Sequence, residues 1–430
     1  MIGKHLVPSA SHLSSIGGGS PIGSSRRWIS WGDDIFRLLA TCKLIHNAVR
    51  GLAWETWGFH KIEETFEQET QSALSRLRVI QEEVRKLGDS GISGRQIRHF
   101  YLRINLGSRF FQQQISQILE AINLMLNLES VAIVHAEEES VVRSSPYEVA
   151  GLPAAFVEAL SRLPTLRALF LCGIKLSILP QQLSRFNDGF SALTLTACHD
   201  STLSLLYLVP SATRITIWRD FSSSPKIEIS ESLLARTWSR LGELELFGFS
   251  SKKGQPLLQT LGHSLWQNPA SVANLVVLSL PEAHSLSFFN DKLIPALGAM
   301  TRLRSLTLFI YHEEDLDSRS FEALSLSSPK LEELEFGVNG AELEIWPGDL
   351  CSWGLALVNL GQLKKFTWNY TSSDSISLET LSQHIEFPLT KRICSIHPSL
   401  RSVKWFSTDV EFRRSDTNEV WEWKSRNEFS

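Results

Sequence analysis

The sequence predicts an α/β solenoid, with parallel strands on a concave face and helices on a convex one. Three observations carry that reading. Eleven times between Ile97 and Trp405 the chain repeats one phrase: an apolar residue, two variable positions, an apolar residue, one variable position, an apolar residue. Successive phrases start 31, 38, 24, 22, 29, 34, 28, 28, 32 and 37 residues apart, the spacing of stacked supersecondary units. Between them apolar residues fall at helical spacing, so each unit offers one strand and one outer helix. A stack of such units presents a long surface and no central pocket, and its ordinary work is holding another macromolecule.

Taken in order, residues 1–30 are rich in Ser and Gly and read as a disordered tail. Residues 31–60 form an expected helical segment, in which Ile35, Leu38, Leu39, Cys42, Ile45, Val49 and Leu52 share one face. Asp33 and Asp34 suit its start, and Gly51 suits a bend near its end. Residues 61–94 are a linker whose stripe Leu74, Leu77, Ile80, Val84 and Leu87 predicts a long helix packed on the first repeat. The repeat domain spans 95–410, and 411–430 is a C-terminal cap or tail.

The strand phrases are Ile97-Phe100-Leu102, Leu128-Val131-Ile133, Leu166-Leu169-Leu171, Phe190-Leu193-Leu195, Ala212-Ile215-Ile217 and Leu241-Leu244-Leu246. Leu275-Leu278-Leu280, Leu303-Leu306-Leu308, Leu331-Leu334-Phe336, Leu363-Phe366-Trp368 and Leu400-Val403-Trp405 complete them. The clearest helix pattern is Phe111, Ile115, Ile118, Ile122 and Met125. Others cover about 152–164, 201–209, 229–240, 256–268, 288–300, 318–327 and 376–396.

Composition narrows the class. Hydrophobic content of 43% with 20% charged residues belongs to a folded protein. The 42 Lys+Arg against 46 Asp+Glu leave a net charge of −4, from which no strong attraction to nucleic acid or an anionic membrane follows. No apolar run reaches signal-peptide or bilayer-spanning length. The five cysteines (Cys42, Cys172, Cys198, Cys351, Cys394) show no Cys-x-x-Cys spacing and read as reduced thiols, which predicts a cytoplasmic or nuclear protein.

The phrase resembles the leucine-rich repeat, whose parent pattern is L-x-x-L-x-L. Intervals well above 22 residues resemble the ribonuclease-inhibitor-like subclass, which carries a full outer helix. Leu193-Thr194-Leu195-Thr196-Ala197-Cys198 is similar to the family's L-x-L-x-x-C, in which the cysteine closes the turn after the strand. Other repeats mostly lack that residue, so an irregular arc is expected. The stretch from Ile35 to Ile45, then Val49 and Leu52 to Trp54, resembles the second half of an F-box, with its leucine-rich helix, Cys-Lys pair and closing Trp. An F-box followed by irregular leucine-rich repeats is similar to a large group of fungal proteins, and Arg95-Gln96-Ile97-Arg98-His99-Phe100 resembles their lead into the first strand.

That resemblance implies a substrate-recognition subunit of a cullin–RING ubiquitin ligase. Leu38, Leu39, Cys42, Lys43, Ile45, Val49, Leu52 and Trp54 would meet the Skp adaptor, and the repeats would hold a protein substrate. The chain departs from the family where an F-box opens with Leu-Pro: residues 24–33 read Ser-Ser-Arg-Arg-Trp-Ile-Ser-Trp-Gly-Asp. Residues 34–57 acting only as a cap on the first repeat is the alternative, and it leaves a repeat scaffold without a ligase role.

No grouping of nucleophile, base and orienting residue emerges, and no enzyme, cofactor or metal site is expected. His312-Glu313-Glu314-Asp315 reads as a solvated loop, and Cys394 with His397 as a buried thiol beside a surface histidine. The partner-binding residues are those alternating with the core on each strand. Arg214, Trp218, Glu243, Glu245, Phe247, Phe309, Glu333, Glu335, Lys365 and Lys404 are the candidates. Trp218, Phe247 and Phe309 are expected as exposed anchors. The two glutamate pairs should form acidic ridges three strands apart, roughly 14–15 Å, with Lys365 and Lys404 reversing the sign beyond. A partner with basic residues around an apolar centre, and an acidic end toward the last strands, would match. The protein is expected to be a monomer outside the complex.

Overall fold

A computed structural model describes residues 56–58, 98–104, 115–116, 118–120, 122–123, 125–135, 150–176, 184–196, 198–218, 239–247, 272–285, 287–311, 318–339, 357–370, 395–405, 410–414 and 421–425. The expected tail, the eight adaptor-facing residues from Leu38 to Trp54, the linker at 61–94, the helix pattern at 256–268 and the His312–Asp315 loop lie outside them. So do most of the patterns at 229–240 and 376–396, and Cys42, Cys351 and Cys394.

The protein is α/β, built on mostly parallel strands with few helices. It divides into two compact units at Ile227/Glu228, within the span expected as a single repeat domain. In the first unit β1 (Thr56–Gly58), β2 (His99–Ile104), β3 (Ser130–His135), β5 (Ala168–Cys172), β7 (Ala192–Thr196) and β8 (Arg214–Trp218) pair in parallel in that order. A separate parallel pair joins β4 (Ala150–Leu152) to β6 (Ile174–Leu176). In the second unit β9 (Glu243–Phe247), β10 (Val277–His284), β11 (Ser305–Tyr311), β12 (Glu333–Asn339), β13 (Lys365–Tyr370) and β14 (Ser402–Trp405) are parallel. An antiparallel hairpin follows, β15 (Val410–Arg414) and β16 (Trp421–Ser425), and this is the form taken by the expected cap or tail.

Each of the eleven phrases lies on a strand that begins two residues after its first apolar position, from Ile97 and His99 to Leu400 and Ser402. Every described side chain at the first, fourth and sixth positions is buried. The alternation has a direct cause: fourth and sixth positions share one strand face, and burying a leucine there yields about 1.5–3 kcal/mol. In the second unit Phe289 meets Phe336 of β12 with ring centroids 6.2 Å apart, so the segment carrying Phe289 covers the core face.

The backbone repeats as faithfully as the side chains. Within each unit the carbonyl of the residue after the first apolar position accepts from two N–H groups of the next parallel strand. Arg98 accepts from Glu129 and Ser130, Glu129 from Arg167 and Ala168, Arg167 from Ser191 and Ala192, and Ser191 from Thr213 and Arg214. In the second unit Gly242, Val276, Arg304, Glu332 and Lys364 do the same, each toward the following strand.

The connections vary. Helix α1 (Ala154–Ser161) starts after Pro153, buries Phe156, Val157 and Leu160, and is followed by Pro164, which cannot continue it. The 201–209 pattern becomes a 3-10 helix, Asp200–Tyr207, instead of an α-helix. It serves the shortest interval, and at about 2.0 Å per residue a 3-10 turn spans that distance with fewer residues. His199 caps it by accepting from the Ser201 N–H. The 288–300 pattern opens as a π-helical turn, Phe288–Leu293, before α2 (Ile294–Leu297). Pro295 has no N–H for an α-helical bond, and the wider turn accommodates that loss. Helix α3 (Ser318–Ser327) occupies the expected 318–327. Between β5 and β6 the chain turns at Gly173 with φ 66°, where an added Cβ would come 3.2 Å from His135 Cβ.

Two expectations need correction. Thr56–Gly58, inside the span expected as helical, form β1 and pair with β2. Backbone groups on an edge of β2 would otherwise lack partners, and three extended residues satisfy them. His397, expected at the surface, is 1% exposed. Its Nε2–H donates to the Leu357 carbonyl at 3.0 Å, and its Nδ1 accepts from the Leu400 N–H at 3.2 Å. The ring thus ties the start of one strand phrase to the segment before another.

Burial pushes the His397 pKa below the ordinary 6.5, against the opposing pull of the Leu357 and Leu360 carbonyls. The folded state therefore favours the neutral ring. Its contribution is complete above the unfolded pKa and is lost as the pH falls below about 6.5. Thermal melts from pH 7.5 to 5 should show a larger fall in Tm for wild type than for His397→Gln, which keeps an amide donor and acceptor but does not titrate. Equal slopes would remove His397 from the account.

Candidate functional site

Because core residues occupy the fourth and sixth positions, the third and fifth point to the opposite, open face. Parallel register turns them into rows. In the first unit one row runs Thr56, His99, Ser130, Ala168, Ala192, Arg214, and the next runs Gly58, Tyr101, Ala132, Phe170, Thr194, Thr216. A third row ends Val134, Cys172, Thr196, Trp218. Arg214 and Trp218 are half-buried. Small and neutral residues dominate these rows, and parts of the face are covered: His99, Ser130, Ala132 and Thr216 are buried. The His99 ring nitrogen Nδ1 lies 2.8 Å from Ser130 Oγ, a bond that satisfies both groups where water is excluded.

The second unit has a different character. One row reads Glu243, Val277, Ser305, Glu333, Lys365, Ser402, and its neighbour Glu245, Ser279, Thr307, Glu335, Thr367, Lys404. The acidic ridges on β9 and β12 are thus three strand steps apart, with neutral β10 and β11 between. Glu333 and Lys365 are exposed, and Glu243, Glu245, Glu335 and Lys404 half-buried. Ser305 and Thr307 donate to Glu333 and Glu335 over 3.5 and 3.4 Å, long bonds that orient the carboxylates across the strand gap. The hairpin carries the rows on: Arg413 stands opposite Ser402, and Glu411 opposite Lys404. Sequence periodicity did not reveal that extension, since the repeat phrase ends with β14.

One proposed anchor is not available. Phe309, expected exposed, is buried at 6%, and its neighbour Ile310 is buried as well. Consecutive buried residues mean that both faces are covered at this end of β11. The register explains part of it. Pairing of β10 with β11 slips between Leu280 and Ala283, so Phe309 is flanked by Ala283 and Gly337, whose small size leaves lateral room for the ring. Phe247 ends β9, and its side chain lies outside the described residues.

Both described thiols are half-buried. Burial pushes Cys172 up to about 11 and Cys198 up to about 12, so both stay protonated at neutral pH. The Cys198 thiol donates to the Leu171 carbonyl of the preceding repeat at 3.4 Å, a turn-closing contact. Among the described residues no three His, Cys, Asp or Glu side chains converge as a metal site, and no helix is long and apolar enough to cross a membrane. No protein-family model matches the chain, and no curated protein matches it.

Native protein treated with iodoacetamide at pH 8 should leave Cys172 and Cys198 largely unmodified by mass spectrometry, with rapid labelling of both in 8 M urea. Comparable rates in the two conditions would mean that neither thiol is protected by the fold.

Proposed function

We propose that this chain is a leucine-rich-repeat protein that binds another protein on the open face of its parallel strands, as the substrate-recognition subunit of a cullin–RING ligase. The observation that supports the binding half is the match of all eleven phrases to strands of constant start, which fixes side chains in rows at the roughly 4.8 Å strand spacing. A rigid face of this kind loses little entropy on docking. The ligase half rests on the F-box-like stretch at Leu38, Leu39, Cys42, Lys43, Ile45, Val49, Leu52 and Trp54.

A second reading, a scaffold without a ligase role, is favoured by β1. Thr56–Gly58 follow directly on that stretch and pair with β2, which is how a segment capping the first repeat would behave.

Affinity purification of the full chain, probed for adaptor and cullin subunits, separates the two. Weak adaptor binding is expected, reduced further in Leu39→Asp because the new charge must be desolvated against an apolar partner. Adaptor and cullin absent from the wild-type eluate would leave the scaffold reading. Tight binding that Leu39→Asp leaves unchanged would show that the adaptor docks elsewhere.

For a substrate recovered in that way, Glu333→Lys with Glu335→Lys should slow association about tenfold or more at low salt and flatten its salt dependence. Unchanged association rates would move the docking surface away from the acidic rows.

A further inference from the structure

Just before each strand of the second unit the chain places a buried leucine between two solvent-facing positions. The sequences are Ser239-Arg240-Leu241-Gly242, Ala273-Asn274-Leu275-Val276, Thr301-Arg302-Leu303-Arg304, Pro329-Lys330-Leu331-Glu332, Gly361-Gln362-Leu363-Lys364 and Pro398-Ser399-Leu400-Arg401. The leucines are fixed in the core, and the carbonyls that follow them are held by the next strand. The flanking side chains therefore form a rim of set pitch along the N-terminal edge of the sheet. It carries six cations, Arg240, Arg302, Arg304, Lys330, Lys364 and Arg401, against a single acid, Glu332. All six are exposed except the half-buried Arg304. In a chain of net charge −4, that is a strong local reversal of sign.

Glu332 shows that a carboxylate fits between neighbouring cations of the rim. Its carboxylate lies 2.6 Å from Lys364 Nζ and 3.4 Å from Arg304 Nη1, seated between two neighbouring strands. The bond from Lys364, helped by the charges of Lys364 and Arg304, holds the carboxyl below its ordinary range. Arg240, Lys330 and Arg401 have the same exposure and no carboxylate partner among the described residues.

We propose that this rim is a docking surface for an acidic, extended protein segment, distinct from the open face and independent of what that face binds. From β11 to β14 the cations span three strand steps, roughly 14–15 Å, which four to five extended residues cover. Two features favour a peptide over a nucleic acid. The rim holds no aromatic side chain on which a base could stack, and Glu332, Glu333 and Glu243 lie in or beside it, where a uniform polyanion would be repelled. Carboxylates spaced along a peptide can meet the cations and avoid those acids.

Fluorescence anisotropy of the full chain with a fluorescein-labelled Glu-Ser-Glu-Ser-Glu-Ser hexapeptide, whose carboxylates are spaced, tests the proposal at low salt. Binding should weaken with added salt and fall about tenfold in Lys330→Gln/Lys364→Gln/Arg401→Gln, since each exposed pair contributes only a few-fold. Glu332→Gln removes the negative charge that competes for Arg304 and Lys364 and should bind the peptide several-fold more tightly. This gain cannot come from misfolding. Absence of peptide binding, equal affinity in the triple variant, or no gain in Glu332→Gln would overturn the proposal. So would tighter binding of a thymidine oligonucleotide or of phosphatidylserine vesicles than of the peptide.

Discussion

Within each unit the carbonyl one residue beyond the leading apolar position accepts two N–H groups from the following parallel strand, and the rest of the architecture hangs on that contact. It sets the start of each parallel strand relative to the one before it in the same unit. A slip of one residue would turn each core leucine outward and each open-face residue inward. With the leading leucine buried on one side of this carbonyl and the fourth-position residue buried on the other, the register is specified twice, by hydrogen bonding and by burial. Each bond adds only about 0.5–1.5 kcal/mol net, so the relay matters less for total stability than for uniformity. Both the rows of the open face and the basic rim are consequences of it.

Side-chain polar contacts reinforce the same joints. Thr165 Oγ1 donates to the Leu126 and Leu128 carbonyls, and Ser399 Oγ to those of Gly361 and Leu363. Asn187 donates to the carbonyls of Leu163 and Leu166. Each hydroxyl or amide lies just ahead of its own phrase and satisfies two carbonyls of the previous one, that of its leading residue and one just ahead of it. These residues vary in type because several donors can perform the task, and so they do not stand out in the sequence.

The strands were legible because their signal is local: three apolar residues at fixed offsets suffice to define both position and facing. The site residues on β9, β12, β13 and β14 inherited that clarity, since their facing follows from the phrase. Phe309 did not, because its burial depends on a two-residue slip in the neighbouring strand at Pro281 and Glu282. His397 escaped for a related reason. A histidine becomes a core residue when partners such as the Leu357 carbonyl and the Leu400 N–H are waiting, and those come from distant positions. The three-residue β1 is too short to show a period, and the hairpin of β15 and β16 carries no phrase. The basic rim is present in the sequence as cations flanking the leading leucines, but it lies outside the strand-face alternation that marks the other site residues.

The intervals between phrases range from 22 to 38 residues, yet within each unit the strands they connect start at the same position of the phrase. A 3-10 helix, a π turn with a short α-helix, and regular α-helices all serve as connections. Length and conformation in these segments are thus decoupled from the geometry of the strand rows. For protein engineering, this makes the connections natural insertion points: a reporter or affinity tag placed there would leave the spacing of the strand rows untouched. In descent, the same separation would let lineages exchange one part of the molecule while conserving the other.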